Sequence, residues 1–465
     1  MTKKIGIVIT DGVGYRNFVL SDFLNQVSST YKKVVIYSGL PIESYDALEL
    51  PENIDVKELD IFIESKLTWF YRKLKEVGHM TLHKGYFGIN NNLKRGYPKN
   101  NKKRSLLIKL AYKIAHFYHS EKAINLYERM QFRSFKKDAV TQQYLQLLQE
   151  DKPSILFFTH QRPPYLAPLV FCANQLSIKT TSFIFSWDNL ASKGRMMASF
   201  DSYLVWSDLM KKELIHFYPN TDKDFIKVIG TPQFEPYVME QYKLDKALLF
   251  AKFNLDFSKR LICYSCADAG IGANDSLHIT SVMNYINEHP ELMLQLLVRT
   301  SPAEDGLRFE PIKNKFPEIK WNIPKWTLAR HNHVESWSQR IPLIEDVIDL
   351  RAILEFSDLN VNMCSTMGLD FMLFDKPVIY TVFGNETNGL YNDQLFLNYV
   401  HLQYVIDSKA VAIAKDQVDL HNYLTEALEQ PELRKDYRSS LISLEISKAL
   451  KGTSKRMAET LLEWS

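Results

Sequence analysis

Three side chains able to take a proton stand where apolar runs end in the first half of the sequence. They are Asp11 after "KKIGIVIT", His160 after "SILFFT" and Asp188 in "FSWDNLASKG". Each is of a type that removes a hydroxyl proton during attack on an electrophilic carbon, with histidine ordinarily closest to neutrality. A histidine at a strand end is equally at home as a satisfied hydrogen-bonder. Asp188 equally suits the cap of a helix beginning near Asn189. In the second half, "NVNMCSTMGLDFMLFDKP" runs from a strand into Ser365 and Thr366, with a helix expected over 367–374. Two hydroxyls beside the unpaired N–H groups of a helix start make an anion site suited to phosphate. Gly368 lies in that first turn, and Asp370, about one turn further in, suits ribose hydroxyls rather than phosphate. The alternative is an N-cap followed by core. Arg299, closing "LQLLVRTSP", carries a guanidinium matched to a diphosphate, with an ion pair between domains as the alternative. Lys193 and Arg195 are further cations for the same charge. The loop "DAGIGANDS", with Gly270, adds main-chain N–H groups to such a pocket.

Other patterns carry less. "DGVGYRNF" resembles a dinucleotide-binding turn, but Asn17 stands at the third glycine position and the second strand ends in Tyr37-Ser38-Gly39 without a carboxylate. No bound cofactor is expected. Cys263 and Cys266 have knuckle spacing without a second pair or histidine partner, so they read as core residues in a reducing compartment. Asp222-Lys223-Asp224 reads as a surface loop after Pro219. No metal-ligand set is expected.

These residues need strands and helices to hold them. The first half offers strands at 4–10, 33–38, 154–159, 181–185, 202–206 and 225–229, with helical patterns between them, as in a parallel α/β sheet. A helix-rich insertion occupies about 58–148. A connector over 231–260 leads to a second alternation with strands at 261–265, 295–299, 360–364 and 378–381. The last helices run from about 418 to 464. The expected organisation is an N-terminal domain over 1–235 carrying the insertion, then a linker and C-terminal domain over 236–465 whose last helices cross back. Two such halves create a cleft with ligands beyond the carboxyl ends of the strands.

The chain has 465 residues, 46% hydrophobic and 24% charged, with a net charge of +3, so whole-chain attraction to nucleic acid is not implied. It enters a strand at once without a signal-peptide pattern, and no run approaches about 18 uninterrupted apolar residues. Residues 94–137 are the exception in charge, with thirteen Lys or Arg against Glu121 and Glu128. Apolar residues interleave with them at helical spacing, and Leu106, Leu107, Leu110 and Ile114 fall on one helical side. That suits a solvated helix face or a basic amphipathic surface on an anionic membrane leaflet. Nucleic acid is disfavoured because no recognition motif accompanies the charge.

"CSTMGLDFMLFDKPVIY" resembles the donor-nucleotide segment of GT-B glycosyltransferases, and also that of CDP-glycerol glycerophosphotransferases and sugar-nucleotide 2-epimerases. "FSWDNLASKGRMMASFDSYLVWSDLMKKEL" with "VIGTPQFEPY", and "GVGYRNF" with "SDFL", resemble bacterial surface-polysaccharide enzymes of that type. The resemblance implies an α/β fold of two Rossmann-like domains facing an interdomain cleft. It implies a metal-independent cytoplasmic glycosyltransferase, peripheral at the inner face of the cell membrane if the basic segment binds there. Its donor would be a nucleotide-sugar and its acceptor a cell-surface polysaccharide or lipid-linked glycan. Asp11, Asp188 and His160 would be the candidate bases, with Gly12 and Gly14 forming an acceptor-side loop. Ser365, Thr366, Gly368, Asp370, Arg299 and Gly270 would surround the donor. Glutamate is commoner than Asp370 at the ribose position. The alternatives are a CDP-glycerol-type polyol-phosphate transferase, an epimerase, or a non-catalytic glycan-binding protein of the same fold.

Overall fold

The computed structural model describes residues 3–100, 102–331, 333 and 336–465. The chain divides into two compact units. The first comprises the chain up to Glu235 with Ala329–Gln339 and Glu445–Ser465, and the second comprises Pro236–Leu328 and Arg340–Leu444.

The first unit is built on a seven-stranded sheet: β1 (Lys4–Ile9), β2 (Lys33–Ser38), β3 (Ile54–Glu58), β4 (Ile155–Phe158), β5 (Lys179–Phe183), β6 (Ser202–Val205) and β7 (Ile226–Val228), in the order β3-β2-β1-β4-β5-β6-β7. Every adjacent pair is parallel. Ile5, Ile7, Val8 and Ile9 of β1 and all four residues of β4 are fully buried, because helices cover both faces of the sheet. Gly6 is required within β1, since a Cβ there would stand 2.6 Å from the Tyr37 ring and 2.7 Å from Leu156.

Five helices separate β3 from β4: Lys66–Leu82, Phe87–Arg95, Lys103–Phe117, Glu121–Phe135 and Ala139–Asp151. Together they make up most of the expected insertion, and its core forms where Leu74, Ala111 and Tyr127 meet. Lys75 is fully buried within it, donating to Glu128 at 3.2 Å and to the carbonyl of Met197 at 2.6 Å. The final helix of the chain, Thr453–Trp464, packs on the helix Phe23–Thr30.

The second unit has a six-stranded parallel sheet: β8 (Arg260–Ser265), β9 (Leu294–Arg299), β10 (Lys320–Asn322), β13 (Leu359–Asn362), β14 (Val378–Thr381) and β15 (Ala412–Ala414), in the order β10-β9-β8-β13-β14-β15. A short antiparallel hairpin, β11 (Trp326–Leu328) and β12 (Arg340–Pro342), stands apart from it. Ile262, Tyr264, Val298 and Val361 form the centre of its core. Both units are doubly wound, Rossmann-like α/β layers with the first strand in the middle of the order. Among the described residues no helix is long and apolar enough to cross a membrane.

Candidate active site

In an open parallel sheet the strand order reverses at one point, and the carboxyl ends on either side of it diverge to leave a crevice. In the first unit that point lies between β1 and β4. Asp11 follows β1, His160 follows β4, and they meet across the reversal with His160 Nδ1 at 3.0 Å from Asp11 Oδ2. The other carboxylate oxygen accepts from the Gly14 N–H at 2.8 Å, capping the helix Gly12–Phe18, and the Thr10 hydroxyl donates to Oδ2 at 2.8 Å. Burial pushes the Asp11 carboxyl up, but the hydrogen bond and charge of His160, with Gly14 and Thr10, bring it below the usual carboxylate range. An ionised Asp11 accepting from Nδ1 fixes the tautomer of His160 and leaves its Nε2 as the acceptor. The imidazole stacks on Phe185 with ring centroids 3.9 Å apart, so its plane is held on two sides.

The glycines of "DGVG" form the first turn of a helix rather than a loop. Gly14 is small because a Cβ would lie 3.1 Å from Thr159 Oγ1. The loop expected of Gly12 and Gly14 is thus a helix start, and Gly14 allows a close approach of helix to strand.

Asp188 has partners near it in sequence. It takes a hydrogen bond from Asn189 at 3.0 Å and an ion pair from Lys193 at 3.5 Å. It occupies the cap position of the short helix Asn189–Ser192 without bonding to that helix's N–H groups. Arg195 is withdrawn from any diphosphate. It is buried, paired with Glu121 at 2.9 Å and laid over the Tyr218 ring.

In the second unit the order reverses between β8 and β13. The turn after β13 carries Ser365 and Thr366, both half-buried, and Cys364 before them has a positive φ of 49°. Asn362 Oδ1 accepts from the Ser365 N–H at 2.8 Å and sets the bend. The following helix is shorter than expected, Met367–Met372, and its first N–H groups are occupied. Met367 donates to Ser365 Oγ, Gly368 to the carbonyl of Ser365 and Leu369 to that of Thr366. The expected row of unpaired N–H donors is therefore absent at 367–369, and Ser365 and Thr366 bring hydroxyls to this turn. Gly368 answers to packing, because a Cβ would meet Tyr380 Oη at 2.7 Å.

Two of the expected donor ligands point elsewhere. Asp370 is 3% exposed and accepts from the hydroxyl of Tyr237, so a ribose would have to displace a tyrosine. Arg299 is 4% exposed, its two terminal nitrogens lying 3.1 and 3.0 Å from the oxygens of Asp346, with Asn322 as a further acceptor. The carboxylate of Asp346 fills the fork between the two terminal nitrogens, so that edge of the guanidinium is taken from phosphate. The anticipated ion pair lies within one unit. Gly270, in contrast, has open space around it within the loop after β8. Cys263 and Cys266 are buried and unpaired, and burial pushes both thiols up, as core cysteines behave.

No family model matches this chain, and no curated protein matches it in sequence. Its fold is shared with solved structures. One is MnaA of S. aureus with UDP (TM-score 0.56, 10% identity, covering 100% of this chain and 97% of the other). Another is a putative UDP-N-acetylglucosamine 2-epimerase from Listeria monocytogenes (TM-score 0.54, 11% identity, 98% and 95%). A third is a glycosyltransferase from Rickettsia africae (TM-score 0.52, 10% identity, 99% and 98%). Two parallel Rossmann-like sheets in one chain, matched end to end by such structures, make this protein a member of the GT-B fold class.

Proposed function

We propose that the protein is a glycosyltransferase that moves a sugar from a nucleotide-sugar to a hydroxyl of a cell-surface glycan or lipid-linked acceptor. The observation that carries this reading is the Asp11–His160 pair at the strand reversal of the first unit. Nε2 of His160 takes the proton of the acceptor hydroxyl as its oxygen forms the new bond to the anomeric carbon. The bond from that carbon to the nucleoside diphosphate breaks, and Asp11 stabilises the imidazolium that results. Configuration inverts in such a single displacement. Ser365 and Thr366 donate to the diphosphate in the second unit. No metal takes part in this step, so brief chelation leaves turnover unchanged.

The test is product analysis with a panel of nucleotide-sugars, each with and without acceptor. A glycosidic product that forms only with acceptor supports transfer, while an epimerised sugar nucleotide formed without acceptor replaces it with the epimerase reading. Donor binding is checked separately. Ser365→Ala and Thr366→Val should each weaken nucleotide diphosphate binding in calorimetry about 10- to 100-fold, since hydrogen bonds to a charged group are worth about 1.5–3 kcal/mol. Unchanged affinity in both variants would put the donor elsewhere.

The acceptor side of the proposal includes a membrane surface. The helix Lys103–Phe117 turns its small residues inward, with Ala111 and Ala115 fully buried. It turns large ones outward: Leu106 is 54% exposed, Leu110 46% and Phe117 69%, with Leu107 beside them. Ile114 departs from the expected stripe and packs against the cluster around Leu74. Lys102, Arg104 and Lys113 are exposed around this apolar face. Apolar side chains that enter the headgroup boundary beside lysines that meet anionic lipid are the pattern of an interfacial helix. Each cation contributes about 1 kcal/mol at such a surface. Sedimentation with anionic vesicles should therefore show binding that falls with salt and drops at least tenfold in Lys102→Glu/Lys103→Glu/Arg104→Glu. A wild-type protein that stays in the supernatant at low salt refutes the membrane surface.

A further inference from the structure

Inside the helical insertion, His79 is fully buried and neither of its ring nitrogens has a hydrogen-bond partner. A buried imidazole with both nitrogens unmet forfeits the hydration of two polar atoms, at a cost protein interiors rarely leave standing. Its neighbours show what is missing. His83 lies one turn further along, its ring 4.7 Å from that of His79, and its Nε2 is likewise buried and unpartnered. Glu121 reaches the same point from the start of the helix Glu121–Phe135. One ligand atom from each of His79, His83 and Glu121 lies within 4.8 Å of the others.

We propose that His79, His83 and Glu121 bind a divalent transition metal, zinc by their chemistry, which locks the insertion helix Lys66–Leu82 and its His83 cap to the helix Glu121–Phe135. Two imidazoles four residues apart on one helical face and one carboxylate are a zinc donor set, and small side-chain rotations close a 4.8 Å spread onto bonds of about 2.0–2.2 Å. The main chain of Phe217 is a hydrogen-bond partner of His83, and Nε2 is the ring nitrogen left without one. Arg195 holds the Glu121 carboxylate at 2.9 Å and lies 4.4 Å over the Tyr218 ring, itself 5.2 Å from His79. Its positive charge limits affinity but fixes the carboxylate in place. His216 lies outside the group of three ligand atoms, and its Nε2 is bonded to the Tyr86 hydroxyl at 2.7 Å.

The metal sits in the insertion and is separate from the proposed transfer step, so its test does not need activity. Chelator-stripped full-length protein is titrated with Zn²⁺ and with Co²⁺. The expected result is one equivalent taken up per chain, a ligand-field absorption of four- or five-coordinate Co²⁺ without a thiolate charge-transfer band, and a melting temperature raised by several degrees. His83→Ala and Glu121→Gln should each weaken uptake at least tenfold, and His216→Ala should leave it unchanged. Should Glu121→Gln loosen the fold by releasing Arg195, the His83→Ala titration alone decides. Failure of the wild type to take up either ion, uptake unaffected by His83→Ala, or a thiolate band pointing to the cysteines would each overturn the site and leave water as the partner of His79.

Discussion

His160→Ala should lower kcat by about 10²- to 10⁴-fold, the range a positioned general base contributes, while nucleotide affinity stays at the wild-type value. The second half of that expectation follows from location: His160 ends a strand of the first unit, and the donor hydroxyls Ser365 and Thr366 belong to the second. Asp11→Asn is the sharper variant. Asparagine caps a helix as well as aspartate does, so its side-chain oxygen can still accept from the Gly14 N–H and the helix start survives. Its amide nitrogen then faces Nδ1 of His160, where the carboxylate had been. Two donors cannot share that contact, so the imidazole shifts its proton to Nε2 and can no longer accept one there. A folded Asp11→Asn protein should therefore approach the defect of His160→Ala, and the double variant should lose little more than either alone, as groups acting as one unit do. Folding carries an independent signature. A carboxyl held below its usual value contributes stability that is complete above about pH 4 and is lost as the pH falls through the depressed value. Asp11→Asn should remove that part of the acid sensitivity. Full activity in a folded His160→Ala protein would exclude the base assigned here.

What the sequence reveals of this fold tracks how much each strand buries. The central strands β1, β4 and β8 are apolar runs covered on both faces, and their places are evident from residue type. Of the strands that pattern reading misses, β3, β10 and β15 lie at the edges of the two parallel sheets, and β11 and β12 form the short separate pair. Lys320–Asn322 and Ala412–Ala414 are too short to show a period, and Ile54–Glu58 alternates charged residues as an exposed edge does. The same limit governs the site. That Asp11 and His160 stand at strand ends is legible, but their contact spans 149 positions and depends on strand order. The expectation of no metal-ligand set passes over His79 and His83 in "HMTLH", because Glu121 joins them only when two helices pack. Residue type also misleads where an unforeseen partner intervenes, as Tyr237 does for Asp370 and Asp346 for Arg299.

Arg299→Ala should destabilise the second unit by about 3–5 kcal/mol, the cost of leaving a buried carboxylate without its partner. Asp346 is 3% exposed, and after the substitution it keeps the Trp326 indole N–H at 2.9 Å but no cation. In the native protein burial pushes this carboxyl up, and the charge and hydrogen bonds of Arg299 outweigh it to hold the carboxyl below its usual range. The pair therefore contributes stability that is present above about pH 4 and lost as the pH falls through the depressed value. In Arg299→Ala the sign reverses. Burial alone then raises the Asp346 carboxyl, and the variant should gain stability as the pH is lowered towards 5 while the native protein does not. Arg299→Met/Asp346→Leu removes both charges and fills their space, and should recover most of the loss, since buried ion pairs replaced by packed apolar groups are often neutral or better. Urea melts of the three variants at pH 5 and pH 8 measure all of this, and nucleotide titrations below the transition separate folding from binding. A guanidinium occupied by Asp346 predicts unchanged affinity in the folded double variant. If that variant melts like the native protein yet binds nucleotide more than tenfold more weakly, Arg299 exchanges Asp346 for the donor phosphates when nucleotide arrives.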